Sequence, residues 1–359
     1  MPVGISFYTF QTLSYSIDVY KRKLEPTKDF IAFAAFVSFF PQLVAGPIER
    51  AEKLLPQFYK NRIFDYNKAV DGMRQILWGL FKKMVIADNA AEIANQIFNN
   101  STNYSGSTLL LGALFFTLQI YGDFSGYSDI AIGTARLFGF NLMRNFNFPY
   151  FSRDIAEFWR RWHISLSTWF RDYLYIPIGG SKGSLSMKIR NIFVIFIVSG
   201  FWHGANWTFI VWGALNAIYF LPLLLINKNR IHLEIVAQGR YFPSIKEAFQ
   251  MLSTFGLTVL AWVFFRAESI GHSVSIISKI FSRSLFTLPE FEGEKHGIQT
   301  LLFIIFFLLV EWNGREEQHA LAQLGLNWKK SVRYAMYYAF LIALIWFGGK
   351  EQQFIYFQF

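Results

Sequence analysis

Stretches without a charged residue recur along the chain and are separated by polar connectors. They are residues 31–48, 107–122, 192–226, 248–265, 297–310 and 334–349. Several approach the roughly 20 apolar residues that a membrane-spanning helix needs, and a helix satisfies its own backbone hydrogen bonds inside a bilayer. We therefore predict an all-α, polytopic integral membrane protein with roughly seven to nine membrane segments and additional interfacial amphipathic helices.

The longest stretch, residues 192–226, is too long for one straight spanning helix. With a rise of about 1.5 Å per residue it would extend about 50 Å, whereas the hydrocarbon core measures about 30 Å. Gly200, Gly204 and Asn206 mark the place where we expect it to break. His203 lies there, and an ionisable side chain at membrane depth is a functional-site hypothesis by default. The alternative is a packed histidine that hydrogen-bonds to a neighbouring helix.

Composition supports the membrane assignment and excludes several kinds of function. Only 16% of the 359 residues are charged, against about 25% in soluble domains. The net charge of +10 is spread over the connectors, which is typical of contacts with lipid rather than nucleic acid. The absence of cysteine excludes a thiolate nucleophile. Metalloprotease, serine-hydrolase and phosphate-loop motifs are also missing, so we predict no metal site.

The region 144–190 is the most basic part of the chain and contains an aromatic stripe. Members of the stripe recur at steps of three and four, which predicts one helix; they are Trp159, Trp162, Leu166, Trp169 and Tyr173. We expect this helix to lie at the headgroup level, and residues 75–98 to form a second, partly interfacial helix. His163 and Ser167 are four residues apart and share a face beside the stripe. From the pattern alone, a histidine at this position is more often a solvated or headgroup-contacting side chain than a functional one.

Gly122 and Gly126 form a Gly-x-x-x-Gly pair, with one carboxylate, Asp123, inside it and a second, Asp129, three residues after it. The spacing predicts close approach of two helices with polar groups facing inward. We favour a purely structural interpretation, in which these residues cap and pack helices. The alternative is a proton relay with His203, as in a polytopic transporter or flippase, but the sequence shows no internal repeat that would support a transporter.

Three motifs together resemble a known family. They are residues 157–167 (EFWRRWHISLS), 172–180 (DYLYIPIGG) and 200–207 (GFWHGANW), and they resemble the core of the membrane-bound O-acyltransferases. Residues 2–20, 41–50, 121–139 and 354–359 are similar to the bacterial branch of that family, which contains alginate O-acetylases and other polysaccharide or peptidoglycan O-acetyltransferases. The resemblance covers essentially the whole chain. Family members carry further hydrophobic segments before the first of these regions, so we expect residues 1–359 to be one domain that lacks those segments.

The resemblance implies transfer of an acyl group, most simply acetyl, across a bacterial inner membrane. The donor would be a cytoplasmic thioester such as acetyl-CoA, with no tightly bound cofactor. The acceptor would be a hydroxyl of a polysaccharide such as alginate, reached directly or through an exported partner protein. The D-alanyl transfer proteins of teichoic acid, in the same family, show that the acyl group can differ. A non-catalytic scaffold of an export complex is a further alternative to an enzyme.

The resemblance also assigns roles to individual residues. His203 would be the general base, because a neutral imidazole can remove the proton of an attacking hydroxyl at working pH. His163 would orient or polarise the thioester at the cytoplasmic mouth. Arginine and lysine side chains could meet the phosphates of the donor, with simple topogenic charge as the alternative. The residues expected to bind substrate are Trp202, Asn206, Ser167, Arg160 and Arg161, together with Lys182.

Overall fold

The fold consists of helices joined by short connectors and irregular turns. The computed structural model describes residues 4–355. The resemblance predicted for residues 2–3 and 356–359 therefore lies outside the described residues. Within that range there is no β-strand, and the all-α prediction is confirmed. The α-helices are α1 Ile5–Tyr20, α2 Phe30–Val37, α3 Ala51–Tyr59, α4 Tyr66–Leu80, α5 Asp88–Asn99, α6 Gly106–Leu137, α7 Ile155–Arg161, α8 Ile164–Phe170, α9 Leu185–His203, α10 Trp207–Leu225, α11 Ile245–Arg266, α12 Ile270–Ile280, α13 Glu294–Asn313 and α14 Lys330–Phe347. Two π-helical turns, Phe81–Ala87 and Arg171–Tyr175, continue α4 and α8.

Five of the helices between residues 4 and 355 are long and apolar enough to cross a membrane, namely α6, α9, α10, α11 and α13. The predicted number of seven to nine membrane segments is therefore not confirmed. One reason lies in the stretch 31–48, which contains only the eight-residue helix α2 followed by irregular turns around Pro41. Proline there removes a backbone donor and disfavours a continuous helix.

The predicted break in the stretch 192–226 is confirmed. α9 ends at His203, α10 begins at Trp207, and the Asn206 side chain caps α10 by accepting the Thr208 N–H at 3.0 Å. The two helices form a tight hairpin, because a Cβ at Gly200 would clash with the Phe209 carbonyl and one at Gly213 with the Phe196 carbonyl. Glycine at these two crossings lets the backbones touch.

The long helix α6 packs against α4, the first π-helical turn and α5 at the centre of the molecule. A Cβ at Gly126 would lie 2.8 Å from the Gly79 carbonyl oxygen, as the Gly-x-x-x-Gly pattern predicts. The expectation of a partly interfacial helix over residues 75–98 is wrong, because Lys82 and Asp88 are buried. Lys82 pairs with Asp129 at 2.5 Å, and Lys83 pairs with both Asp88 and Asp123 at 2.8 Å. The carboxylates therefore pack and pair helices, as the favoured interpretation states.

The aromatic stripe is not at the headgroup level, and that expectation is also wrong. Trp162 and Trp169 are only 4% and 6% exposed. Trp162 packs on Trp262 with ring centroids 5.2 Å apart, and the Trp169 indole donates to the Phe10 carbonyl at 3.0 Å. The stripe also does not lie on one helix, because α7 and α8 are separate. It covers the inside of the fold rather than a lipid surface.

Candidate active site

His163 lies at the junction between α7 and α8. Its backbone is left-handed, with φ 43°, which ends α7 and turns the chain into α8. Asn145, which belongs to neither helix, stabilises the turn. Its carbonyl accepts the Ile164 N–H at 2.8 Å, and its side-chain oxygen accepts from the Ser165 N–H and hydroxyl. The turn holds the imidazole in the interior of the protein.

The ring of His163 is 2% exposed and is surrounded by aromatic rings. Its centroid lies 4.5 Å from that of Phe124 and 6.1 Å from that of Phe146. Neither ring nitrogen forms a hydrogen bond with another residue between 4 and 355. Burial lowers the pKa of His163 well below its ordinary value, because an apolar site disfavours the charged form. The ring is thus a neutral imidazole with its polar atoms unused by the fold.

His203 is the last residue of α9 and is also held by aromatic side chains. Its ring centroid lies 4.8 Å from that of Trp202, 4.9 Å from Phe265 and 5.3 Å from Trp212. Trp212 comes from α10 and Phe265 from α11, so three helices fix the position of this imidazole. The motif 200–207 folds this way because the break after His203 returns α10 along α9.

Both histidines line one small cavity of about 40 Å³. The 40 residues that separate them in sequence (203 − 163) are thereby brought to one place. Among residues 4–355, Ser167 of α8 and Ser199 of α9 add the only hydroxyl groups of the cavity wall. The rest of that wall is formed by aromatic and aliphatic side chains, among them Trp159, Trp162, Trp212 and Trp262. The cavity therefore combines two imidazoles with an apolar enclosure.

A much larger cavity of about 660 Å³ adjoins the histidine cavity. Trp159, Ser167, Phe170 and Ser199 line both cavities. We call the larger cavity the vestibule. Its remaining wall is mostly apolar and includes α9 from Ile192 to Ser199 and the end of α10, but it also carries three guanidinium groups, those of Arg160, Arg171 and Arg230. The vestibule thus leads from a basic rim to the two histidines.

A third, polar cavity of about 390 Å³ is lined by residues of α5, α13 and the end of α14. Hydrogen bonds connect the break after α9 to α5: the Asn206 side chain donates to the Glu268 carbonyl at 3.0 Å. Arg266, two residues earlier, donates to Asn95 of α5 at 2.9 Å. Glu92 and Gln96, on the same helix α5, line the polar cavity. Its wall also includes His296, Gln299, Trp346 and Lys350.

The structure brings only some of the expected substrate-binding residues together. Ser167 lines both the histidine cavity and the vestibule, and Arg160 lines the vestibule. Trp202 stacks beside His203 without lining the cavity. Asn206 is used as the cap of α10 and by its bond to Glu268. Lys182 is exposed and is not part of the vestibule wall.

Arg161 lies elsewhere, in a buried ion pair. Its guanidinium donates to Glu157 at 2.8 and 3.0 Å and to the carbonyls of Asn147 and Glu234. Arg153 contacts the same Glu157 carboxylate from the preceding turn. Because its donors are occupied and it lines neither cavity, the placement of Arg161 gives it a structural role rather than the expected contact with substrate.

Sequence reasoning missed several residues of these cavities. Ser199 precedes His203 by four residues, so helical spacing places it on the same face and could have found it. Arg171 and Arg230 were visible only as general positive charge. Phe124 and Ile355, which also line the histidine cavity, lie in regions that resemble the family but were not identified as cavity residues, because an apolar side chain does not reveal which distant residues it contacts.

Comparison with known proteins gives this geometry a family. The model of the membrane-bound O-acyltransferase family matches residues 19–262. The "Probable alginate O-acetylase AlgI" of Pseudomonas aeruginosa is 41% identical over 315 residues, which cover 88% of this chain and 58% of that protein. The chain thus spans less than two thirds of the length of that relative.

Two other relatives match along the entire chain. The "Probable alginate O-acetylase AlgI" of Pseudomonas putida is 38% identical over 377 residues, covering 100% of this chain and 75% of that protein. The "Peptidoglycan O-acetyltransferase" of Helicobacter pylori is 32% identical over 402 residues, with the same two coverages. The helices, the family model and these relatives identify a multi-pass membrane protein, and the chain belongs to the membrane-bound O-acyltransferase family.

Proposed function

We propose that the protein transfers an acyl group, most simply acetyl, from a cytoplasmic thioester to a hydroxyl of a cell-envelope or exported polysaccharide. The observation that carries this proposal is the meeting of His163 and His203 in one enclosed cavity next to a basic vestibule. The names of the relatives, which refer to alginate and peptidoglycan O-acetylation, support acetyl as the acyl group and a polysaccharide as the acceptor.

In the proposed reaction His203 acts as the general base. The acceptor oxygen attacks the carbonyl carbon of the thioester while His203 removes the hydroxyl proton. The C–O bond forms, the C–S bond breaks, and the thiolate leaves with a proton returned from the imidazolium. General base catalysis by a positioned imidazole contributes about 10²- to 10⁴-fold. The enclosure favours this step because the base must be neutral to accept the proton.

The proposed role of His163 is to orient the thioester. It shares the cavity wall with Ser167, which also faces the vestibule. The unpaired nitrogens of its neutral ring can donate one hydrogen bond, and a donor aimed at the thioester oxygen would stabilise negative charge that develops there. His203 ends α9 next to the break at which the Asn206 side chain bonds to the Glu268 carbonyl, and we assign this imidazole to the acceptor.

The vestibule is the proposed donor site. Acetyl-CoA and other carrier-bound thioesters bear phosphate groups, and guanidinium groups bind phosphate in bidentate fashion. Arg160 is held at the rim by the carbonyls of Asn229 and His232, at 2.9 and 2.8 Å. Arg171 and Arg230 add two further charges to the same wall. The apolar remainder fits the pantetheine arm of such a donor, which must reach inward to the histidines.

The polar cavity between α5, α13 and the end of α14 is the proposed entry for the acceptor. Carboxylate, amide and aromatic side chains lie together in its wall, and such a mixture suits a ligand with many hydroxyl groups. An exported partner protein that carries the acyl group onward would use the same side. This arrangement supports transfer from one face of the membrane to the other.

The proposed location is a bacterial inner membrane with the vestibule toward the cytoplasm, because basic connectors stay on the cytoplasmic side. The chain contains no cysteine, so single cysteines report orientation cleanly. Ser181 and Asn103 are both exposed. Ser181 precedes the start of α9, whereas the connector of Asn103 lies beside the end of α11, where Arg266 donates to Asn99 at 3.2 Å. In intact spheroplasts, an impermeant thiol reagent should label Asn103→Cys and spare Ser181→Cys. The reverse labelling would contradict this orientation.

The function is tested by mass spectrometry of envelope and exported glycans from cells with and without the protein. We expect acetyl esters to be present only when the protein is present, and to be lost in the His203→Gln variant. An unchanged ester content in all three strains would refute acyl transfer. Ion-coupled uptake by reconstituted vesicles, without any change in esters, would favour a transporter instead.

A further inference from the structure

We propose that Ile355, held in position by Asp123, limits the size of the acyl group that the protein transfers. The inference rests on the proposed acyl transfer and adds a determinant of acyl selectivity to it. Asp123 belongs to α6, and Ile355 belongs to the irregular stretch 348–355, which follows α14 and which we call the 348–355 segment. They were not recognisable as site residues from the sequence.

The 348–355 segment is anchored along its length to the first π-helical turn and to α6. At its start the Gly349 N–H donates to the Met84 carbonyl at 2.8 Å. In the middle, Lys83 Nζ donates to the Gln352 carbonyl at 3.4 Å. At its end the Ile355 N–H donates to Asp123 Oδ2 at 2.6 Å. These bonds fix both ends of the segment against buried elements.

Asp123 holds the last of these bonds because it is itself fixed. Its other oxygen, Oδ1, pairs with Lys83 Nζ at 2.8 Å, and the same ammonium pairs with Asp88 at 2.8 Å. Lys83 lies on the π-helical turn Phe81–Ala87. Such turns are frequent at functional sites, and this one directs Lys82 to Asp129 and Lys83 to Asp123. Asp123 is therefore a positioning residue, which acts through the backbone of Ile355.

The anchored end of the segment forms part of the histidine cavity. Ile355 is 2% exposed, and its side chain lines the cavity together with His163 and His203. The preceding Phe354 packs on Phe124 with ring centroids 6.2 Å apart, and Phe124 is the ring that contacts His163 at 4.5 Å. The segment thus contributes Ile355 to the wall beside the two histidines.

The cavity is small enough for one side chain to decide what fits. One water molecule needs about 10–15 Å³ of cavity volume. The volume of about 40 Å³ consequently admits roughly three heavy atoms, which is the number in an acetyl group. A propionyl or butyryl group extends beyond this space. Replacing Ile355 with Ala removes three carbon atoms from the wall and provides the missing room.

The experiment compares acyl donors on membranes that contain the full chain. Acetyl-, propionyl- and butyryl-CoA are supplied separately with an alginate oligosaccharide, and ester formation is measured by mass spectrometry. A single methylene in an apolar pocket changes selectivity by about 10- to 200-fold. We expect Ile355→Ala to raise the propionyl-to-acetyl ratio at least about tenfold, and Ile355→Val to raise it less. Ile355→Trp should abolish acetyl transfer at a normal protein level.

Asp123 is tested by the same ratio. Asp123→Ala removes the anchor of Ile355 and should raise the propionyl-to-acetyl ratio, whereas a merely structural role would lower all three rates together. The matched control is Asp129→Ala on the same helix, which loses a lysine partner but has no bond to the 348–355 segment. We expect less protein from this control and an unchanged ratio.

The outcomes separate this inference from the proposed function. In one outcome, the wild-type protein transfers acetyl, and both Ile355→Ala and Ile355→Val keep the wild-type propionyl-to-acetyl ratio. This outcome refutes the size-limiting role, while acyl transfer stands. If the wild-type protein transfers none of the three groups to the oligosaccharide and glycan esters do not depend on it in cells, the proposed function itself fails and the inference with it.

Discussion

This protein contains two buried polar regions that differ in how many of their polar groups are hydrogen-bonded or paired. Between α4, the first π-helical turn and α6, Lys82 and Lys83 are paired with carboxylates at 2.5 to 2.8 Å. Glu311 in the same region accepts from the Trp78 indole and the Tyr121 hydroxyl. In the histidine cavity, by contrast, neither nitrogen of His163 bonds another residue in the range 4–355.

The difference separates structural from chemical roles. An unpaired buried polar group costs free energy, and a fold tolerates that cost where the group serves another purpose. In the lysine–carboxylate region the charges of Lys82 and Lys83 are matched by nearby carboxylates. The imidazoles have no task in holding helices together. The contrast makes two opposite predictions about mutation: loss of pairing should cost stability, and loss of an imidazole should cost activity.

The largest expected effect is that of His203 on turnover. An amide in its place can form hydrogen bonds but cannot accept a proton at working pH. His203→Gln should therefore reduce acetyl transfer by about 10²- to 10⁴-fold. The amount of protein in the membrane should stay near normal, because aromatic contacts rather than hydrogen bonds hold this side chain. Activity assays and quantitative blots check both points, and a variant with half the wild-type rate would contradict the role of base.

The variant Lys82→Met tests whether pairing in the lysine–carboxylate region stabilises the fold. Removing one partner of a buried pair costs about 3–5 kcal/mol, because the remaining charge is left uncompensated. We expect a low yield and a lower unfolding temperature in detergent. The double variant Lys82→Met with Asp129→Leu removes both partners and should recover much of the loss. If Lys82→Met instead folded normally and was inactive, the region would have to be catalytic.

His163 gives a smaller effect on activity. We choose His163→Asn because the backbone there is left-handed, which asparagine tolerates better than most residues. Loss of one donor to a developing oxyanion typically costs about 10²- to 10³-fold. The variant should keep its yield and lose turnover to that extent. A variant that lost yield and turnover in proportion would show that His163 has only a packing role.

The sequence predicted those features that depend on local signals. Gly204 and Asn206 marked the break between α9 and α10, and Gly126 marked the close approach of α4 and α6. The two histidines were found by their motifs. The position of the aromatic stripe was wrong because helical spacing shows which side chains share a face, but does not tell whether that face meets lipid or protein. Trp162 meets Trp262, which lies 100 residues later.

The charged residues of region 144–190 show the same limit of prediction from local sequence signals. Arg160 and Arg161 are neighbours, yet Arg160 lines the vestibule whereas Arg161 pairs with Glu157 one turn away. Net charge along the chain cannot distinguish them. Ile355 was beyond prediction for a different reason: its place in the cavity depends on a bond to Asp123, 232 residues earlier. Such long-range contacts follow from the packing of whole helices.

The smallest expected effect is that of Glu49, whose carboxylate is buried. It accepts the Met143 N–H, while the neighbouring Arg50 pairs with Asp172 at 3.7 Å. Burial raises the pKa of Glu49 from 4.5 to about 7. Since its pKa is higher in the folded than in the unfolded state, the stability linked to its proton is fully present below pH 4.5 and is lost as the pH rises through 7. Glu49→Gln stays neutral throughout. In detergent melts the variant should match the wild type near pH 4.5 and be more stable by about 1–3 kcal/mol at pH 8, whereas the exposed control Glu52→Gln should show no such divergence. A constant difference between pH 4.5 and 8 would show that Glu49 is ionised in the fold.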